Sequence, residues 1–528
     1  MVAAENDALP NGKVGGIGDV VRDIPPALAA AGHVVNVVTP GYQAFSLLPG
    51  AKLITSIQVQ FAGRIENVEI FKVPAIEPHN NVMIWVVEHP LFAAGGVGKI
   101  YCDDPPSKPF ESDANKFALF SAAVAKATVS DVFGSISVIH LHDWHAAMIA
   151  MLRAYDPEYH KLQSIRTVYT IHNLSLQGIR PLKGLESSLE YWFPELEYDV
   201  EKINDPRYPH CINPMRLGIN LSDKIHAVSP TYADEIKLAT NVEKGYFGGE
   251  GLEADLQHAD NENRLFGILN GCDYSQPITN TSLSVVELFS SCEKELLKWC
   301  KKNPDDTKNL LFEIHKLSSL QSRLKINKSK ADEKNSAQKT LFLLTSVGRI
   351  TSQKVLLLQQ IMDNGLSALE NLLDKLGDQG VLLLLGSGDK KLEKFLSKIA
   401  LEYNNFILLK GFSNTLANNI YASGDLFLMP SSFEPCGISQ MLAMRAGQPC
   451  LVHDVGGLSD TVKNNIDGFS FSGASLQEQA KNMIDCFETA LTLKQSNPDK
   501  WNELSESAAN ARFLWSDVAA DYVKLLYP

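Results

Sequence analysis

The chain has 528 residues, 45% of them hydrophobic and 21% charged, and a formal net charge of -13. This length exceeds what one core organises and fits two large α/β domains, and no apolar run approaches the roughly 18 residues that would span a bilayer. An acidic surface repels polyanions, which argues against nucleic acid as a partner and requires any phosphate-bearing ligand to be met by a local cluster of Lys and Arg. The eight cysteines form no CxxC pair or regular framework, so reduced thiols and a cytosolic setting are expected, with a plastid setting only if a transit segment lies upstream. Residues 1–10 carry acidic side chains and no apolar core flanked by Arg, unlike a secretory signal.

In chain order, short β-rich runs are expected at residues 34–39, 82–87, 138–141, 167–171, 224–228 and 265–269. Each is followed by a polar or glycine turn and a longer segment with helical spacing, the pattern of a doubly wound parallel sheet. The pattern restarts at residues 341–347, 381–385, 406–409, 425–429 and 450–453. The expected architecture is α/β, with two doubly wound, Rossmann-like domains facing each other across a cleft, because ligands of such sheets bind at the carboxyl edges of the strands. The boundaries read as an N-terminal domain over 1–275, a junction with a polar insertion over 276–339, a C-terminal domain over 340–507 and a closing helix over 508–528. Within the junction, residues 327–338 are nearly devoid of apolar side chains and read as a loose surface excursion.

Six motifs carry chemistry. Asn11-Gly12-Lys13-Val14-Gly15-Gly16-Ile17-Gly18-Asp19 opens a helix; its glycines admit close backbone approach, Lys13 offers a point charge, and free amides at a helix start attract anions. The same glycines also suit a plain tight turn. His140-Leu141-His142-Asp143-Trp144-His145 ends a strand, but strand alternation followed by a turn does not aim its three histidines at one point, which disfavours a metal. His140 and His142 are expected as packed, hydrogen-bonded histidines, and His145 as the one that reaches the cleft. Arg349 and Lys354 lie just past a buried strand and can converge on one anion, as a nucleotide-diphosphate leaving group requires. Leu385-Gly386-Ser387-Gly388 is a further strand-to-turn loop, and Phe412 either stacks a nucleobase or lids the core. Glu434 sits at the carboxyl end of an apolar strand, in Pro430-Ser431-Ser432-Phe433-Glu434-Pro435-Cys436-Gly437, and Gly456-Gly457 opens a helix after the next strand. A carboxylate and a Gly-Gly turn there can together hold a sugar and its diphosphate.

Taken in order, Lys13-Val-Gly-Gly-Ile-Gly-Asp19, His142-Asp-Trp-His145, Thr170-Ile-His-Asn173, Val228-Ser-Pro-Thr-Tyr232, Gly267-Ile-Leu-Asn270-Gly-Cys-Asp273, Gly348-Arg-Ile-Thr-Ser-Gln-Lys354, Phe433-Glu-Pro-Cys-Gly437 and Gly456-Gly-Leu-Ser-Asp460 resemble the bacterial glycogen synthase and plant starch synthase family. The resemblance covers nearly the whole chain, and Lys-Val-Gly-Gly is closest to the starch synthase III and IV branch. It implies a GT-B fold and transfer of glucose from ADP-glucose to the non-reducing 4-hydroxyl of an α-1,4-glucan, with retention, without a metal and without any cofactor besides the donor. It further implies that Lys13, Gly15 and Gly16 approach the diphosphate and that Asp19, His145, Asn173 and Asn270 meet donor or acceptor. Arg349 and Lys354 would hold the diphosphate and Glu434 the transferred glucose, with Cys436, Gly437, Gly456 and Gly457 completing that pocket and Phe412 lying against adenine.

The sequence departs from the family pattern at four places. Ser432 stands for an Arg, Val355 for a Gly and Cys272 for an aliphatic residue, and only four residues precede Glu5 where a full first strand is expected. Two other readings are open: a GT-B glucosyltransferase with a small acceptor, and a catalytically weak glucan-binding or regulatory homologue.

Overall fold

The computed structural model describes residues 1–274, 283–302, 306–334 and 341–528. The chain divides into two compact units, Met1–Thr240 with Phe247–Asp273 and Phe513–Pro528, and Asn241–Tyr246 with Tyr274–Arg512.

In the first unit, strands Val35–Pro40 and Val82–Glu88 pair in parallel, and Arg64–Val73 and Lys52–Phe61 extend them antiparallel. The hairpin between the last two turns on Ala62 and Gly63, both at positive φ, which is the geometry a two-residue turn demands and which Ala seldom adopts. The second ladder, Leu265–Gly267, Lys224–Ala227, Arg166–Ile171 and Val138–His142, is parallel throughout. Residues 1–4 join the two ladders. Val2 bridges both Val38 and Leu141, its amide donating to His140 O at 2.8 Å and its carbonyl accepting from His142 N at 3.1 Å. The central position expected to be short of backbone is thus filled, as far as these residues reach, by pairing on both sides.

Helix Gly16–Ala30 buries Ile17, Val20, Val21, Ile24 and Leu28, a stripe with helical spacing. That stripe packs on Trp515, Val518, Tyr522 and Leu526 from the closing segment, which belongs to the first unit.

The second unit is built on six parallel strands in the order Phe406–Lys410, Gly380–Gly386, Phe342–Val347, Leu426–Met429, Cys450–His453 and Gly468–Phe471. Strand Gly380–Gly386 is buried along its whole length, which explains its unbroken apolar run in place of alternation. The strand order runs outward from Phe342–Val347 in one direction and outward from Leu426–Met429 in the other. Their shared border is therefore the topological switch point, where outgoing loops diverge and leave a crevice at the carboxyl edge.

The segment expected as a polar insertion contains two helices, Val285–Lys302 and Thr307–Lys334. The expected loose stretch at 327–338 is helical as far as Lys334, and its residues 335–338, like 275–282, lie outside the described residues. Apolar spacing explains the order: Leu288, Phe289, Cys292, Leu296 and Trp299 form a buried face on the first helix, and Leu310, Leu317 and Leu320 are buried on the second. The second helix also covers the edge strand Phe406–Lys410. Lys316 Nζ donates to the carbonyls of Ala400 and Phe406, and Glu313 accepts from the amide of Leu408 at 3.3 Å. Lys316 and Glu313 are themselves paired at 2.9 Å and both buried.

Removing one member of such a pair leaves an uncompensated buried charge, which costs about 3–5 kcal/mol, whereas replacing both by apolar groups is close to neutral. Lys316→Ala is therefore expected to lower the unfolding free energy in urea by about 3–5 kcal/mol. The double variant Lys316→Met with Glu313→Leu should recover only part of that loss, because it also strips the carbonyls of Ala400 and Phe406 and the amide of Leu408 of their side-chain partners.

Candidate active site

At the switch point of the second unit, two loops are brought together by contacts that their residue types dictate. Residues 348–354 leave strand Phe342–Val347, and residues 430–437 leave strand Leu426–Met429. Lys354 forms an ion pair with Glu434. The two loops are also stitched by backbone: Gln353 Nε2 donates to Phe433 O at 2.8 Å, and Ser432 N donates to Gln353 O at 2.8 Å. Ser432 is buried, with its hydroxyl 3.3 Å from the same carbonyl, so this departure from the family pattern serves as a tie between the loops. Val355 is buried in the core of the unit at a negative φ, which a β-branched residue accepts without strain.

The Gly456-Gly457 turn presses on the same place. A Cβ on Gly457 would lie 2.3 Å from Cys436 O, so only glycine admits this approach. Gly457 N donates to Glu434 O at 3.0 Å, which fixes the backbone of the carboxylate. Gly437 adopts φ +78, with Gln440 Oε1 only 2.5 Å from where a Cβ would be. Gln440 in turn donates to Cys436 O and Gly437 O at 3.1 Å. Arg349 is exposed and has no hydrogen bond or ion pair among the described residues. Phe412 is 74% exposed, which rules out the role of a core lid and leaves its ring face open. The second unit thus gathers Lys354, Glu434, Cys436, Gly437, Gly456 and Gly457 at one point.

In the first unit, Glu5 organises the glycine loop. Buried at the end of residues 1–4, its Oε2 accepts from Val14 N at 2.8 Å and Gly15 N at 2.6 Å, and its Oε1 accepts from Tyr101 OH at 2.7 Å. Two of the amides expected to face an anion are therefore held by a carboxylate, while Gly16 has open space beside its Cα. Lys13 pairs with Asp19 at 2.5 Å. Sequence reasoning passed over Glu5; its signal was an acid just ahead of a glycine-rich turn.

The His-Leu-His-Asp-Trp-His segment divides as its alternation requires. His140 and His142 stack at 4.7 Å, and His142 Nδ1 is 2.9 Å from His172 Nε2. His140 is hydrogen-bonded to Thr170 at 2.5 Å and to Tyr527 at 2.9 Å, and Thr170 is also bonded to His226. These are packed, hydrogen-bonded histidines.

Asp143 turns the chain out of the strand at φ +53 and ψ -174, a strained conformation that is essentially reserved for glycine. Its carboxylate accepts from His172 N at 2.7 Å. Burial pushes the carboxyl up to about 8, against the opposing pull of the His172 and Asn173 amides.

His145 follows on a short 3-10 turn, Trp144–Ala146, enclosed by Trp144, Tyr101 and Phe117 at ring distances of 4.3, 5.4 and 4.8 Å. It is buried, and desolvation lowers its pKa to about 3, so the ring is neutral. The His145 Nδ1 and the Asn270 Oδ1 are buried without a protein hydrogen-bond partner, the condition in which a polar atom gains most from a ligand or water. Asn173 Oδ1 accepts from the Ser175 amide at 3.0 Å and hydroxyl at 2.7 Å.

Residues 1–258 match the family described as the starch synthase catalytic domain, and residues 327–503 match glycosyl transferases group 1. The chain is 30% identical over 537 residues to a glycogen synthase of Alkaliphilus metalliredigens, covering 99% of this chain and 98% of that protein. It is also 30% identical over 554 residues to a glycogen synthase of Streptococcus agalactiae serotype III, with the same coverage of both. Among solved structures, the catalytic domain of Starch Synthase IV from Arabidopsis thaliana, bound to ADP and acarbose, superposes with a TM-score of 0.71 at 25% identity, covering 99% of this chain and 97% of that one. A sucrose-phosphate synthase from Thermosynechococcus elongatus superposes at 0.54 with 15% identity, over 99% and 96% of the two chains, a likeness of fold. The chain belongs to the bacterial glycogen synthase and plant starch synthase family, and its fold class is GT-B.

The neutral His145 gives a pH dependence of definite sign. Its folded pKa lies below the ordinary 6.5, so the folded state binds fewer protons, and stability present above about pH 6.5 is lost as the pH falls toward 3. The slope approaches about 1.4 kcal/mol per pH unit for one such group. Urea unfolding at pH 7 and pH 5 should show wild type losing about 2 kcal/mol more than His145→Phe, whose apolar ring cannot take up the proton.

Proposed function

We propose that this member of the glycogen and starch synthase family is a retaining glucosyltransferase that moves glucose from ADP-glucose to the non-reducing 4-hydroxyl of an α-1,4-glucan. The observation that carries the reading is the meeting of Lys354 and Glu434 at the switch point of the second unit, with the Gly456-Gly457 turn pressed against Cys436. A transferase of this kind needs cations where the diphosphate leaves and hydrogen-bond acceptors where the sugar hydroxyls sit. Arg349 and Lys354 are the cations in this reading, Glu434 is the acceptor, and Cys436, Gly437, Gly456 and Gly457 complete the sugar pocket. Phe412 presents an open ring for adenine stacking, in keeping with the ADP bound in the Arabidopsis relative. Lys13, Gly15, Gly16 and Asp19 of the glycine loop are the residues of the first unit that this reading assigns to substrate. His145, Asn173 and Asn270 meet sugar hydroxyls, and the unpartnered Nδ1 of His145 and Oδ1 of Asn270 favour that assignment.

Charge on the departing nucleotide is neutralised by Arg349 and Lys354 in this reading, so the reaction proceeds without a metal or other cofactor. The partners are the nucleotide sugar and a glycogen or starch chain, and the setting is the cytoplasm. No described helix is long and apolar enough to cross a membrane.

Incorporation of labelled glucose into glycogen should proceed from ADP-glucose in the presence of EDTA, with UDP-glucose run in parallel. Glycogen binding without release of ADP would favour a non-catalytic homologue, and a product of one or two sugars would favour a small acceptor. Lys354→Ala should lower turnover by about 10² to 10³, as loss of a preorganised charge contact does; turnover within about threefold of wild type would remove Lys354 from the proposed role.

A further inference from the structure

We infer that the inserted helix Val285–Lys302 is part of the nucleotide-binding machinery, with Trp299 as a positioning residue for the loops that carry Phe412 and Arg349. The inference rests on the functional reading above and extends it to a segment outside the family motifs.

Three glycines end or follow neighbouring parallel strands of the second unit and lie against one another. A Cβ on Gly386 would stand 2.0 Å from Gly348 O, so the loop that carries Arg349 rests directly on the Gly386 backbone. Gly411 N donates to Gly386 O at 3.1 Å, which continues the row to the turn that carries Phe412. The outer face of Gly411 is closed by Trp299, whose indole atoms would lie 2.7 Å from a Cβ there.

Backbone stacked this closely has no compressible side chain between its layers, so a shift at one glycine is passed to the next. Trp299 is buried and forms the outer stop of the row. A second contact from the insertion acts on the same turn: Asp306 pairs with Lys410 at 2.6 Å. The exposed ring of Phe412 is therefore held by the two residues before it, each fixed by the insertion.

The test compares Trp299→Ala, Trp299→Phe, Gly411→Ala and Leu296→Ala with wild type, reading ADP binding by calorimetry together with KM for ADP-glucose, KM for glycogen and kcat. Leu296 is buried on the same helix and controls for loosened packing. Trp299→Ala is expected to raise the ADP dissociation constant and the donor KM by about 10- to 100-fold, the scale of a small misplacement at a binding group. Glycogen KM should stay within about twofold, and Trp299→Phe should restore most of the donor affinity.

Gly411→Ala should reproduce the loss, because its methyl group displaces the indole, and it serves in place of Trp299→Ala if that variant does not fold. Leu296→Ala should lower the melting temperature with donor KM within about twofold of wild type. An unchanged donor KM in folded Trp299→Ala or Gly411→Ala, or an equal rise in Leu296→Ala, would overturn the inference. A wild-type protein that binds no ADP would overturn the functional reading itself.

Discussion

Parallel pairing delivers every loop that follows a strand to one edge of the sheet, and a reversal of strand order is the place where two such loops part. In the second unit that constraint falls between Phe342–Val347 and Leu426–Met429. All the chemistry proposed for this unit hangs on it. The short tether from each strand end leaves Lys354 and Glu434 little freedom to separate, and the carbonyl of Gln353, held by the amide and hydroxyl of Ser432, removes more of it. The glycines at 386, 411 and 457 are the counterpart of that crowding. Each gives up a side chain so that a neighbouring backbone or ring can occupy its place. Preorganisation of this kind keeps charge fixed where it must act, with little rearrangement left for the moment of reaction.

The first unit relies on desolvation instead. Its histidines at 140, 142, 145 and 226 are buried and kept neutral by loss of water. The same loss of water raises the Asp143 carboxyl. A neutral imidazole offers both a donor and an acceptor, which suits recognition of sugar hydroxyls, whereas an imidazolium offers donors alone. The buried Glu5 spends its oxygens on the glycine loop and Tyr101. It shapes the loop in the way an anion-filled turn is shaped.

Much of the scaffold was legible because apolar runs bounded by glycine and proline mark buried parallel strands. The eleven runs read from the sequence correspond to strands of the two sheets, with ends displaced by at most two residues. Strands Lys52–Phe61 and Arg64–Val73 were not read, since their turn uses Ala62 at positive φ and their faces mix exposed apolar with polar side chains. The helices of the insertion were not read because lysines and serines dominate its composition, while the apolar face of the first is spread over twelve residues from Leu288 to Trp299. Lys354 and Glu434 were each legible past a buried strand, but their convergence was not, because the two strands lie about eighty residues apart in the chain and only the sheet makes them neighbours. Trp299 beside Gly411 was invisible, because no local pattern encodes a contact between residues so far apart in the chain, whereas Glu5, nine residues before Val14, left only the weak local signal of an acid ahead of a glycine-rich turn.

The way helix Thr307–Lys334 covers the strand Phe406–Lys410 bears on solubility. A parallel sheet of six strands has two edges, and an uncovered edge is a template for pairing with a second chain. Here side chains stand in for the missing neighbour, with Lys316 capping a carbonyl and Glu313 engaging an amide. A chain from which this helix had been trimmed would keep its six strands and its glycine row, yet present a bare, apolar ladder end to the surrounding solution. Its first failure would be self-association, at concentrations where the full chain stays dispersed.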